Sequence, residues 1–86
     1  MSQRTVVIAS RVGLHARPAS LFAQAVAASG AQVTIGKQGE PSMDGSSILM
    51  VMALGIGHGE EVVLESEDDD VLDQLVTLLE TDLDAE

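Results

Sequence analysis

Hydrophobic positions recur at two different spacings along the chain. Arg4-Thr5-Val6-Val7-Ile8-Ala9 is β-branched and apolar and predicts a first strand. Between Ala16 and Ser29 the apolar residues Ala19, Phe22, Ala23 and Val26 lie three or four residues apart, with Ala27 beside them. That spacing makes one face of an amphipathic helix, which Gly30 closes as a left-handed cap. Gln32-Val33-Thr34-Ile35 alternates polar and apolar and predicts a second strand, followed by a turn at Gly36-Lys37-Gln38-Gly39. Glu40 to Met43 is a short third strand, which Pro41 confines to an edge or a bulge, and Asp44-Gly45 turns the chain again.

A second helix is predicted from Ile48 to Leu54, capped by Ser46 or Ser47. Its apolar residues continue around the axis, more than one buried face needs. Two readings stay open here: a plain core helix, or a helix with some of Ile48, Leu49, Met50 and Met52 exposed as a flexible apolar contact surface. Gly55-Ile56-Gly57-His58-Gly59 reads as a mobile loop, and Glu60 to Glu65 as the fourth strand, with Val62 and Leu64 on one face. Leu72, Leu75, Val76, Leu79 and Leu83 then mark a third helix. The acids of Ser66 to Asp70 precede it, where they suit the positive end of a helix dipole better than a calcium loop. Asp82, Asp84 and Glu86 oppose the dipole at the other end, which predicts fraying. The order βαββαβα gives an α+β open sandwich: a four-stranded antiparallel sheet with three helices on one face.

Composition narrows the function. Eighty-six residues predict one domain, residues 1–86, with a thin core. No apolar run approaches the ~20 residues that span a bilayer, and Met1-Ser2-Gln3-Arg4 lacks the apolar segment of a signal peptide, so the expected location is the cytoplasm. With no cysteine, disulfides and thiol chemistry are excluded. A net charge of −10 argues against nucleic acid and against an anionic membrane as partners. His15 and His58 occupy unrelated positions, so no metal site is expected, and no cofactor either.

The candidate chemistry sits in Gly13-Leu14-His15-Ala16-Arg17-Pro18-Ala19-Ser20. Pro18 fits the first turn of a helix, because the N–H it lacks would have no helical partner there. The helix then starts at about Ala16 to Pro18, with His15 at its mouth, where free N–H groups and the dipole can receive an anion. The imidazole can act as a nucleophile, and Arg17 adds a fixed charge whose fork suits phosphate oxygens. The same residues also fit a plain surface histidine at a helix start. Use of His15 as the general base of a hydrolase finds no supporting Ser, Asp or Cys motif.

This octapeptide resembles the active-site signature of the HPr family, the histidine-containing phosphocarriers of the sugar phosphotransferase system. Ser47-Ile48-Leu49-Met50-Val51-Met52-Ala53-Leu54-Gly55-Ile56 resembles that family's regulatory-serine helix, and order and length agree over essentially the whole chain. The resemblance implies a carrier rather than a free-standing enzyme, acting as a monomer. His15 would take a phosphoryl group on Nδ1 from phospho-enzyme I and pass it to the IIA domain of a sugar permease. Ala16 and Arg17 would hold the phosphate, and Ile48, Leu49 and Met52 would form the docking face. It further implies a serine kinase and a transcription regulator acting through Ser47 by motif, or Ser46 by distance from the histidine. A basic residue often precedes that serine in the family, whereas Ser46 stands there in this chain. The resemblance leaves the sugar unnamed, and a nitrogen-regulatory or dihydroxyacetone-kinase branch remains an alternative.

Overall fold

The computed structural model describes residues 2–81. Its elements are β1 (Ser2–Val7), α1 (Ala16–Ser29), β2 (Thr34–Lys37), β3 (Met43–Asp44), α2 (Ile48–Ala53), β4 (Glu61–Ser66) and α3 (Asp69–Leu79). The strands form one antiparallel sheet in the order β1-β4-β2-β3, and the helices cover one face, as the βαββαβα reading expects. β4 is central because it alternates best: Val62, Leu64 and Ser66 point inward and are buried. Val6 stands opposite Val62, and Ile35 opposite Leu64. Against this layer pack Phe22 and Val26 of α1, Val51 of α2, and Leu72, Leu75 and Leu79 of α3. Phe22 is fully buried and fills the middle of the core as the chain's only aromatic side chain.

α1 runs from Ala16 to Ser29 as its periodicity predicts, and Gly30 ends it at φ 73° with its N–H on the Ala27 carbonyl. α3 starts at the cap the acids foretold. Asp68 accepts from the Val71 N–H at 3.2 Å, while Asp69 and Asp73 pair with Arg4 of β1 at 3.6 and 3.1 Å. These charges serve as cap and strap. Leu83, Asp82, Asp84 and Glu86, predicted as the end of this helix, lie outside the described residues.

Three strands lie elsewhere than predicted. β1 occupies Ser2–Val7 rather than Arg4 to Ala9. Beyond Val7, the Ile8 N–H still bonds the Glu60 carbonyl in register, but the Ala9 N–H bonds the Leu79 carbonyl at the end of α3, which draws the chain off the ladder. β2 occupies Thr34–Lys37 rather than Gln32 to Ile35, so Gly36 is a strand residue and not part of a turn. A Cβ at Gly36 would lie 2.9 Å from the Pro41 oxygen and 3.0 Å from Ser42 Cα, so only glycine admits the neighbouring segment. β3 is Met43–Asp44 alone, paired with Ile35 and Thr34 at the sheet edge, because the Pro41 stretch precedes the ladder. The fourth strand and the second helix shift by one residue at their ends: β4 is Glu61–Ser66, and α2 stops at Ala53 with Leu54 as its cap.

Candidate functional site

His15 is the N-cap residue of α1, extended at φ −129°, ψ 164°, and half-buried. Its side chain makes no capping hydrogen bond, so the imidazole is not consumed by the helix it begins. Ala16 follows at φ 49°, alone among the described non-glycine residues in having a positive φ. A left-handed alanine costs about 1–2 kcal/mol, which the surrounding contacts must offset. The first internal bond of α1 runs from the Ala19 N–H to the His15 carbonyl at 3.5 Å. Pro18 has no N–H, so the N–H groups of Ala16 and Arg17 are the first-turn donors left for an anion. The Arg17 side chain is exposed and has no hydrogen-bond or ion-pair partner among the described residues.

The turn that presents His15 is anchored from the far side. Gly13 has φ 75°, and a Cβ there would overlap the Ile56 carbonyl oxygen and lie 2.8 Å from Gly57 Cα. The Leu14 N–H donates to that same Ile56 carbonyl at 2.9 Å, while the Leu14 and Ile56 side chains are both fully buried. The glycine-rich segment expected to be a mobile loop is therefore a bonded support. Gly59 N–H reaches the Ile8 carbonyl at 2.9 Å and Glu60 N–H the Gly57 carbonyl at 3.2 Å. His58 lies exposed at its tip. Sequence reasoning named Ile56 without its supporting role, because one isoleucine between glycines has no periodicity, and it did not single out Val12, which lies exposed three residues before His15.

α2 flanks this turn. A shallow groove between the helices is lined by Ser20, Ala23, Gln24 and Ala27 of α1 and by Ser46 and Ile48 at the start of α2. Since the segment after α2 meets Gly13 and Leu14, α2 runs back along α1 toward His15. Only Val51 of this helix is buried. Leu49 is 76% exposed, and Ile48, Met50 and Met52 are exposed as well, so α2 is not a plain core helix. That concentration on six residues is an exposed apolar patch rather than the scatter of single apolar residues normal on a surface.

Ser47 is the N-cap of α2, its Oγ accepting from the Met50 N–H at 3.4 Å. Ser46 instead belongs to the preceding turn: its N–H and hydroxyl donate to Asp44 Oδ1 at 2.9 and 2.8 Å. Those two bonds, the backbone one foremost, hold the Asp44 carboxyl below the usual range for aspartate. The cap alternative thus resolves to Ser47. No helix of the described residues is long and apolar enough to cross a membrane.

The chain matches the family model described as "PTS HPr component phosphorylation site" over residues 2–81. It is 45% identical over 67 residues to the phosphocarrier protein HPr of Streptomyces coelicolor, covering 78% of this chain and 72% of that protein. It is 41% identical over 83 residues to the phosphocarrier protein HPr of Haloferax volcanii, covering 92% and 93%. The crystal structure of HPr-C-His from Thermoanaerobacter tengcongensis superposes with a TM-score of 0.88 at 35% identity, covering 100% and 99% of the two chains.

Proposed function

The chain belongs to the HPr family of phosphocarriers, and on that premise we propose that His15 is its phosphoryl acceptor. The supporting observation is an imidazole at the mouth of α1 that caps nothing, at a helix start with two N–H donors and a guanidinium that has no partner among the described residues. In this reading the Nδ1 lone pair attacks the phosphorus of phospho-enzyme I. The donor's N–P bond breaks as the new one forms, and the group later leaves to a IIA domain of a sugar permease. Ala16 and Arg17 N–H groups, with the Arg17 side chain, stabilise the transferred charge. An N–P bond is labile, which suits a relay, and positioning with electrostatics is all the protein needs to add. The protein acts stoichiometrically, as a monomer in the cytoplasm, docking both partners through Ile48, Leu49 and Met52. Incubation with phosphoenolpyruvate and enzyme I should yield one acid-labile, base-stable phosphate per chain. Absence of that phosphate would overturn the reading.

A regulatory role for Ser47 is the second reading. As the α2 cap it places any added phosphate at the positive end of a helix and beside the docking patch. A phosphate on Ser46 would instead meet the Asp44 carboxylate that its hydroxyl already contacts. The expected agents are a serine kinase and a transcription regulator. Kinase treatment followed by peptide mapping distinguishes the two serines.

A further inference from the structure

Sulfur in this chain is confined to methionine, since it has no cysteine. Met43 is half-buried on the edge strand, whereas Met50 and Met52 are 42% and 37% exposed on α2. At 3.6 residues per turn, Met52 falls about 40° around the helix from Ile48, and Met50 about 200°. Ile48 lines the groove against α1, so Met52 lies on the α1 side of the patch and Met50 on the opposite flank. Met52 also lies in the last turn of α2, the end that leads to Ile56 and the His15 turn. We infer that Met52 is an oxidation-sensitive contact: peroxide converts its thioether to a sulfoxide and so slows phosphoryl acceptance by His15.

The inference rests on the carrier reading above and concerns its docking step. Hydrogen peroxide supplies the oxidant. A sulfur lone pair attacks one peroxide oxygen, the O–O bond breaks, an S–O bond forms, and water leaves. Sulfur loses two electrons and peroxide gains them. A flexible apolar side chain becomes a strongly dipolar one within a stripe formed by Ile48, Leu49 and Met52. A partner pressed on that stripe must strip water from the S–O dipole without offering it a bond. Val51 is the α2 side chain buried in the core, and circular dichroism of the oxidised chain checks that the fold persists, so that a slower rate reads docking rather than unfolding.

The test compares the intact protein with Met52→Leu and Met50→Leu, each before and after hydrogen peroxide. Peptide mass spectrometry confirms the sulfoxides, and the readout is the treated-to-untreated ratio of initial acceptance rates from phospho-enzyme I. The unsubstituted chain and Met50→Leu should lose roughly fivefold or more, the scale of one well-placed contact. Met52→Leu should keep a ratio near one, and methionine sulfoxide reductase should restore the unsubstituted chain. A full rate with Met52 oxidised, or an equal loss in Met52→Leu, would overturn this inference alone. An untreated protein that accepts no phosphoryl group would overturn the carrier reading and this inference with it.

Discussion

α2 and α3 pack on the same side of one sheet and solve opposite problems. α3 buries Val71, Leu72, Leu75 and Leu79, is capped by Asp68, and is strapped to β1 by Arg4. α2 has six residues, buries only Val51, and turns Ile48, Leu49, Met50 and Met52 outward. Charge is divided too, along the chain rather than between these two helices. Residues 1–39 hold all four Lys and Arg and no acid, whereas residues 40–86 hold all fourteen acids. α1 and α2 carry one charged side chain between them, Arg17, and the β4–α3 region carries the acid. One helix contributes stability and solvation; the other presents apolar surface that folding does not use. Excess exposed hydrophobicity on a short helix beside an uncommitted histidine therefore points to a partner.

Substitution should separate these roles. Leu72→Ala should cost about 2–5 kcal/mol of stability by emptying a fully buried position, read from chemical denaturation. Leu49→Glu should leave the melting temperature nearly unchanged yet weaken docking to enzyme I and IIA by about 2 kcal/mol or more in titration. Unchanged affinity for both would remove α2 from the interface. Next in size are the caps. Asp68→Ala and Ser47→Ala should each cost about 0.5–2 kcal/mol, with Asp68 the larger because its carboxylate also meets the dipole. Ser47→Asp should keep or raise stability while slowing acceptance from phospho-enzyme I. Equal, unaltered rates for Ser47→Asp and Ser46→Asp would exclude a regulatory serine here.

The smallest effect is on pH. The Asp44 carboxyl titrates lower in the folded chain than when unfolded, because Ser46 donates two hydrogen bonds to its charged form. Its contribution is complete above the unfolded value and is lost as pH falls through the folded one. The Ser46 amide resonance should therefore shift below the usual aspartate range, and Asp44→Asn should abolish that titration.

Most of this architecture was legible because local signals agreed. α1 begins and ends where Pro18, the apolar face and Gly30 place it, and the Asp-rich run before α3 reads as a cap. The strands slipped where tertiary contact overrode local pattern. Val33 and Ile8 are buried and extend the apolar runs, yet lie outside the ladders. Gly36 resembles a turn residue, but the close passage of Pro41 makes it a strand residue. At the site, His15 and Arg17 were visible as a motif. The left-handed Ala16 was not, since alanine carries no local signal for a positive φ, nor was the support of Gly13 by Ile56, which lies more than forty positions away.

The central claim is that His15 alone carries the phosphoryl group. Its direct test is phosphohistidine mapping after incubation with phosphoenolpyruvate and enzyme I, for the unsubstituted chain, His15→Ala and His58→Ala, with circular dichroism on each. The account predicts folded proteins throughout, a full phosphate on His58→Ala, and none on His15→Ala. A phosphate accepted by folded His15→Ala would contradict it.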